Sequence, residues 1–178
     1  ATGTYKSGTG SGPCVNCPSF STSPAESTSE DACHCLGGYA FDGTNCAPCS
    51  DGSYKTPISD IIQCASCASN SQSELSTAST KCLCNAGFTG SEIDGSDCTQ
   101  CADGSYKVNP GPATCTDCPD AQHISALPRT ASSDCLCNAG YAGTDADPSV
   151  CTACGNGEYK ETIANAACIA CVDSDHTH

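Results

Sequence analysis

Residues 98–137 read CTQCADGSYKVNPGPATCTDCPDAQHISALPRTASSDCLC. This stretch contains a Cys-x-x-Cys pair, a Gly-x-Tyr-Lys motif, a second Cys-x-x-Cys pair and a Cys-x-Cys pair, in that order. Equivalent cysteines recur along the whole chain at intervals of 49 to 53 residues. A fixed period of about 50 residues is typical of a tandem array. The pattern therefore predicts cysteine-rich repeats at 1–45, 46–97, 98–150 and 151–178, the first truncated at its start and the last at its end.

The composition shows what must stabilise such an array. Twenty of the 178 residues are cysteine, a level that marks a disulfide scaffold. Ile, Leu, Val and Phe together supply only 19 residues, so burial of apolar side chains cannot offset the conformational entropy lost on folding. Disulfides must supply the difference, at about 3 kcal/mol for each loop of 15 residues. Disulfides in this number indicate an oxidising compartment.

The residues between the cysteines predict little regular structure. No segment has sustained helical periodicity of apolar residues, and Gly, Pro, Ser, Asn and Asp are dense throughout. The dipeptide Asp51-Gly52 and its equivalent Asp103-Gly104 are turn signals, and so are Asn85-Ala-Gly87 and Asn138-Ala-Gly140. We therefore expect small disulfide-rich tandem repeats that form an elongated rod of short β-ribbons and loops, with almost no helix and no large hydrophobic core.

The charge restricts the partners. The net charge is −14 with only six basic residues, which excludes binding to nucleic acid and to anionic lipid. No apolar run is long enough to span a bilayer, so we expect no direct membrane insertion in this segment. Ala1 does not begin a signal peptide, which predicts a mature or excised piece of a secreted or surface precursor. The expected partners are other copies, neighbouring repeats of a longer chain, or glycans.

Three stretches resemble the carboxy-terminal half of EGF-like modules: Cys35-Leu-Gly-Gly-Tyr39, Cys84-Asn-Ala-Gly-Phe88 and Cys137-Asn-Ala-Gly-Tyr141. The Cys-x-x-Gly-x-Tyr…Cys stretches resemble the first loop of tumour-necrosis-factor-receptor modules. The whole repeat most resembles the ephrin-receptor-like cysteine-rich repeats, which occur widely in large extracellular proteins of protists and algae. The resemblance implies an extracellular or cell-surface location.

The resemblance also implies a disulfide pairing. The EGF-like stretches imply Cys35–Cys46, Cys84–Cys98 and Cys137–Cys151, the receptor-like stretches imply Cys49–Cys64, Cys101–Cys115 and Cys154–Cys168, and the remaining cysteines would pair as Cys17–Cys33, Cys67–Cys82 and Cys118–Cys135. In this sequential scheme, Cys14 and Cys171 are expected to pair outside the segment. The alternative is the interlaced EGF-type scheme, with Cys49–Cys67 and Cys64–Cys82. Sequence alone does not decide between the two schemes.

Metal and redox chemistry are disfavoured for the cysteines. Zinc held by four thiolates has a double negative charge, which an acidic chain with few basic residues does not compensate. A redox Cys-x-x-Cys needs a helix start and an electropositive setting. The acidic residues Glu30, Asp31 and Asp134, beside the cysteines, are candidates for weak calcium binding. His176 and His178 form a His-x-His that could bind a metal, although an exposed tail is the plainer interpretation. We expect no cofactor and no enzymatic activity.

The tyrosines and the hydroxyl-rich loops have two interpretations each. Tyr54, Tyr106 and Tyr159 are predicted to be partly buried on their own loop disulfides, with the following lysine reaching solvent or an acidic neighbour. A ligand-binding tyrosine stripe is the alternative. The Ser/Thr clusters are either bare polar loops or sites of O-linked sugar; they are Ser19–Ser23, Ser27–Ser29 and Ser69–Thr80.

These observations favour a structural function: an extracellular repeat protein forming the shaft of a fibre, a surface coat or a flagellar hair. The alternative is a binding module, such as the ectodomain of a receptor, adhesin or surface antigen. Near-uniform repeats favour the structural function, because a receptor tends to diversify one repeat around its binding face. No exposed apolar patch is identifiable in the sequence, so filament contacts are expected to come from polar loops, glycans or strand edges.

Overall fold

The computed structural model describes residues 1–57, 63–91, 94–144 and 147–172. The strands in these ranges are two to seven residues long and pair only as antiparallel two-stranded ribbons. Helix is limited there to two 3₁₀ turns, Glu30–Ala32 and Ser132–Asp134. The predicted disulfide-rich ribbon repeats with almost no helix are therefore confirmed. In the described part of the chain, no helix has the length and apolar character needed to cross a membrane.

The chain divides into two compact units. Unit 1 comprises residues 1–84 and 90–98. Its strands pair in chain order, each with the next, as five ribbons: β1 Thr4–Tyr5 with β2 Val15–Asn16, β3 Ser21–Thr22 with β4 His34–Cys35, β5 Tyr39–Phe41 with β6 Cys46–Pro48, β7 Ser53–Tyr54 with β8 Ala65–Ser66, and β9 Ser71–Ser73 with β10 Cys82–Cys84.

Unit 2 comprises residues 85–89 and 99–178. It also contains five ribbons in chain order: β11 Phe88–Thr89 with β12 Thr99–Gln100, β13 Ser105–Tyr106 with β14 Thr116–Asp117, β15 His123–Ser125 with β16 Cys135–Cys137, β17 Tyr141–Thr144 with β18 Asp147–Ala153, and β19 Glu158–Tyr159 with β20 Ile169–Ala170. The β17–β18 ribbon has a register shift between Ala142 and Thr144.

Nine disulfides in the structure close consecutive loops. They are Cys17–Cys33, Cys35–Cys46, Cys49–Cys64, Cys67–Cys82, Cys84–Cys98, Cys101–Cys115, Cys118–Cys135, Cys137–Cys151 and Cys154–Cys168. The paired cysteines are 11 to 17 positions apart in the sequence. A complete repeat therefore has three loops: the first contains Gly-x-Tyr-Lys, the second follows it, and the third begins at the second cysteine of Cys-x-Cys. Cys14 and Cys171 are exposed and are free thiols in the structure.

The interior is made of disulfides and polar groups. Among the described residues, every buried apolar side chain is a cysteine: Cys49, Cys82, Cys84, Cys101, Cys118, Cys135 and Cys137. The buried polar side chains include three lysines and several serines. Disulfide bonds and hydrogen-bonded polar side chains thus occupy the positions that larger apolar residues fill in an ordinary core.

Candidate functional site: the repeat junctions

Consecutive repeats meet at a recurring contact, which we call the repeat junction. Each junction joins the glycine turn that opens the third loop of one repeat to the first loop of the next. In the first junction, the Gly38 N–H donates to the Lys55 carbonyl oxygen at 2.7 Å, and the Gly38 carbonyl accepts from the Cys49 N–H at 2.7 Å. The equivalent pairs are Gly87 with Lys107 and Cys101, and Gly140 with Lys160 and Cys154. The three junctions therefore share one backbone pattern.

Glycine is required at this turn for two reasons. Gly87 has φ +79°, a left-handed conformation that side chains rarely adopt. A Cβ atom at Gly87 would also lie 2.6 Å from the Pro128 carbonyl oxygen in the second loop of the following repeat. At Gly38 and Gly87 the turn therefore works as a contact surface only when its central residue has no side chain, whereas at Gly140 only the positive φ, +81°, requires glycine.

A buried lysine completes each junction. The Lys55 ammonium donates to the carbonyl oxygens of Cys35 at 2.9 Å and of Leu36 at 3.2 Å, both in the preceding repeat. The Lys107 ammonium donates to Phe88 O at 2.8 Å and to Gly111 O in its own loop at 2.5 Å. Each lysine thus links its own loop to the glycine turn before it.

The third junction repeats the contact. The Lys160 ammonium donates to Cys137 O at 3.2 Å and to Ala164 O in its own loop. Lys55, Lys107 and Lys160 retain only 5%, 3% and 5% of their accessible surface. The prediction that these lysines reach solvent or an acidic neighbour is therefore wrong. Several carbonyl oxygens lie around the glycine turn, and a long side chain with three N–H donors binds more than one of them at once.

Burial of these lysines has an electrostatic cost. Removal of water around the ammonium lowers the pKa of Lys55 and of Lys160 below the ordinary lysine value. The carbonyl dipoles that accept its N–H groups stabilise the charged form of the ammonium. The recurrence of the lysine was a signal in the sequence: four of the five lysines occupy the position after Tyr in Gly-x-Tyr-Lys.

In each of the first three repeats, a buried serine links the first loop to the second. The Ser73 hydroxyl donates to the Asp51 carboxylate at 3.0 Å and accepts from the Gly52 N–H at 3.0 Å. Ser125 accepts from the Gly104 N–H at 3.1 Å, and Ser23 donates to Thr4 O at 2.8 Å. Two of these serines lie in the Ser/Thr clusters considered for O-linked sugar, and their burial excludes them as acceptors.

The three tyrosines of Gly-x-Tyr-Lys differ in their exposure to solvent. Tyr54 and Tyr106 are half-buried as predicted, whereas Tyr159 is 41% exposed. Removal of water raises the pKa of the Tyr54 phenol, and the nearby Asp94 carboxylate raises it further. Packing of these rings on the loop disulfides stays a prediction.

The structure gives the acidic candidates protein partners of their own. The Asp134 carboxylate accepts the N–H groups of Thr130 at 2.6 Å and Ala131 at 3.0 Å, which caps the second 3₁₀ turn. Glu30 accepts the Tyr5 hydroxyl at 3.3 Å, and Asp31 lies 3.5 Å from the Ser29 hydroxyl. Calcium binding there stays a hypothesis. His176 and His178 lie outside the described residues.

One grouping of metal-type ligands occurs in the described ranges. A ring nitrogen of His123 and the sulfurs of Cys137 and Cys151 lie within 4.8 Å of one another. The two sulfurs form a disulfide, so neither is the thiolate that a metal requires. The His123 Nδ1 lies 2.9 Å from an Asp120 carboxylate oxygen instead, and the other oxygen accepts the Cys151 N–H at 3.1 Å. The grouping therefore holds the second and third loops together.

Comparison with known proteins shows which proteins the chain resembles. No protein-family model matches it. Over 89% of its length it is 26% identical to cysteine repeat modular protein A of Toxoplasma gondii. It is 38% identical over 36% of its length to the sushi, von Willebrand factor type A, EGF and pentraxin domain-containing protein 1 of Rattus norvegicus, and 43% identical over 38% to ephrin type-A receptor 4-B of Xenopus laevis. The chain is a tandem array of cysteine-rich repeats.

The array spans only 6%, 2% and 6% of the lengths of these three relatives. The resemblance to ephrin-receptor-like and EGF-containing repeats is confirmed, and the repeats are of the extracellular type. Within the array, the recurring arrangement joins loops through disulfides, buried serines and buried lysines. These contacts join the main chain of one loop to the next loop. The arrangement therefore holds neighbouring repeats in contact.

Proposed function

We propose that the array is a structural spacer outside the cell, forming the shaft of a fibre, a surface coat or a flagellar hair. The observation that carries this proposal is the junction that recurs three times with the same glycine turn and the same buried lysine. A spacer needs every repeat to hold the next in the same way, and the three equivalent junctions provide this.

The mechanical reasoning follows from the loops. The disulfides close loops whose ends are 11 to 17 positions apart in sequence but only 5.5 to 5.8 Å apart between Cα atoms. Tension along the chain therefore cannot extend the residues inside a loop without breaking a covalent bond. Only the one or two residues between loops and the junction contacts can yield. An array of this kind resists extension without a large core, because each repeat depends mainly on its neighbours.

Pulling the oxidised chain in optical tweezers tests the mechanical part. At low force we expect only short extensions from opening of the junctions. Adding dithiothreitol under constant force should then give separate steps of about 3 to 5 nm. Each reduced loop releases 11 to 17 residues at about 3.5 Å per residue, less the 5.5 to 5.8 Å that already separates the paired Cα atoms. Extension of the oxidised chain by tens of nanometres at low force would refute the spacer function.

Immunogold electron microscopy of the native material tests the assembly part. Antibody against the array should label fibres, hairs or a continuous coat along their length, and antibody pre-absorbed with the purified array should label none of them. Isolated membrane-tethered molecules, without any polymer or coat, would contradict the shaft and favour the alternative of a receptor, adhesin or surface antigen.

A further inference from the structure

The first repeat departs from the others on one surface. In its third loop, the strand β5 carries Tyr39 and Phe41, which lie on the same face because side chains alternate along a strand. The ring of Phe20, from the second loop, stacks on Tyr39 with 4.5 Å between ring centroids and 7° between the planes. Phe20 is 52% exposed and Phe41 is 57% exposed. The surface formed by Phe20, Tyr39 and Phe41 is here called the aromatic face.

Phe20 adopts a backbone conformation that does not suit it. Its φ is +61°, in the left-handed region that a bulky residue rarely enters. The equivalent residue of the second repeat is Asn70, with φ +63°, and asparagine tolerates this region well. A large aromatic residue is therefore present where the local backbone favours asparagine. Since half of the ring remains in water, its burial within the repeat does not explain it.

Phe41 also replaces a small residue. Its equivalents in the next two repeats are Gly90 and Gly143. A Cβ atom on Gly90 would lie 2.6 Å from Asp97 O, and one on Gly143 would lie 2.6 Å from the Cys137 sulfur. In those repeats the position packs tightly on its own loop. In the first repeat it instead presents a phenyl ring to solvent, beside Asp42 at the tip of the ribbon.

The chain that carries the aromatic face is acidic. Asp42 is exposed, and N–H donation from Asn45 and Thr44 lowers the pKa of its carboxyl group, so it is ionised at neutral pH. The net charge of the chain is −14. Three of the five lysines are buried in the repeat junctions, so they contribute little to binding at the surface. Exposed aromatic rings on an acidic chain match a cation.

We propose that the aromatic face and Asp42 form a docking surface for an extended, cationic segment of a partner protein. An arginine or lysine of that segment would stack on the exposed side of Phe20, and a second one would bind the exposed Asp42 carboxylate at the tip of the ribbon. Arginine is favoured, since its planar guanidinium stacks on a ring and pairs with a carboxylate. A second copy of this chain is a poor occupant, because two acidic surfaces repel each other.

The test compares variants built from residues that the other repeats already contain. Phe20→Asn introduces the residue of the second repeat, and Phe41→Gly that of the second and third, so the double variant keeps the net charge and is compatible with the fold. Phe88→Tyr is the matched control, because it changes an aromatic residue at the equivalent turn of the second repeat. The probe is a fluorescein-labelled nona-arginine peptide at 150 mM salt, measured by fluorescence anisotropy.

The double variant should bind the peptide at least about fivefold more weakly, because each exposed cation–π contact contributes a factor of a few. Phe88→Tyr should bind within twofold of the original protein. In the original protein, the Phe20 and Tyr39 ring resonances should shift when the peptide is added, and unchanged junction amide exchange in the variant should show that its fold is intact.

Three results would overturn the proposal. Equal peptide binding by the original protein and the double variant would show that the attraction depends only on net charge. Binding of a neutral oligosaccharide that displaces the peptide and requires Phe20 would assign the aromatic face to carbohydrate. Concentration-dependent dimerisation in sedimentation, abolished in the double variant, would make the face a contact between copies.

Discussion

Removing the ammonium of Lys55 tests the junction most directly. Lys55→Met keeps most of the aliphatic side chain but deletes the donors to the carbonyl oxygens of Cys35 and Leu36. Each of these two hydrogen bonds, having a charged donor, contributes about 1.5 to 3 kcal/mol. Part of this gain is offset because the ammonium loses its hydration, which is also what lowers the Lys55 pKa. We therefore expect the first junction to lose about 2 to 3 kcal/mol of stability.

Amide hydrogen exchange measures this loss at single residues. The Gly38 and Cys49 amides form the two backbone hydrogen bonds of the first junction. A loss of 2 to 3 kcal/mol should speed their exchange by about 30- to 150-fold. The Gly140 amide, which donates to Lys160 O at 2.8 Å in unit 2, should exchange at its original rate.

The control variant is Lys81→Met. The Lys81 side chain is 35% exposed and pairs with Glu74 at 3.5 Å, a surface ion pair that contributes little. Its removal should change exchange at Gly38 by less than about threefold. If Lys55→Met and Lys81→Met had the same small effect on Gly38, the buried lysine would not stabilise the junction, and the reasoning above would fail.

Three further predictions follow from the geometry. With an amine-acylating reagent and peptide mass spectrometry, the buried Lys55, Lys107 and Lys160 should react at least about tenfold more slowly than Lys81; equal rates would contradict their burial. Non-reducing peptide mapping should find Cys67 linked to Cys82; a Cys64–Cys82 link would establish the interlaced scheme. Removal of water raises the pKa of the Asp120 carboxyl, but N–H donors from Cys151 and Gln122 and contact with His123 outweigh it and lower the pKa. A lowered carboxyl pKa stabilises the fold above the unfolded value near 4. Protection of the Cys151 amide should therefore persist at pH 5 and be lost as the pH falls below 4. In Asp120→Asn, the protection should not change over this pH range.

The turns illustrate how far local chemistry carried the prediction. Asp51-Gly52 was identified as a turn signal, and the structure places a turn there, between the first cysteine of the loop and β7. Asn85-Ala-Gly87 and Asn138-Ala-Gly140 were likewise identified as turn signals, and Gly87 and Gly140 have the positive φ that a turn of this kind requires. Such features depend on a few adjacent residues, so a single sequence is sufficient to find them.

The lysines illustrate where local reasoning failed. Lys55 binds carbonyl oxygens 19 and 20 residues earlier, in a different disulfide loop. A charged residue after tyrosine on a short ribbon would ordinarily extend into water, since lysine is almost never buried without partners. Its partners here are backbone oxygens, which every residue possesses and which therefore leave no mark in the sequence.

The exposed aromatic residues show a similar limit. No apolar patch was identifiable along the sequence, because Phe20 and Phe41 are separated by 21 positions and by the Cys-x-Cys pair. The structure brings both rings to Tyr39, one by stacking and the other by sharing a strand face. Folding of the second loop against the third thus creates the surface that distinguishes the first repeat.

By itself, the sequence determined the repeat period, the ribbon-and-loop character of the chain and its dependence on disulfides rather than on an apolar core. These properties follow from cysteine spacing, turn residues and composition, which act over a few residues or over the chain as a whole. Only the tertiary structure decided that Lys55, Lys107 and Lys160 are buried between repeats and that the aromatic face exists. Those properties depend on which loop packs against which, and the free energy of burying a charge or a ring is set by groups distant in sequence.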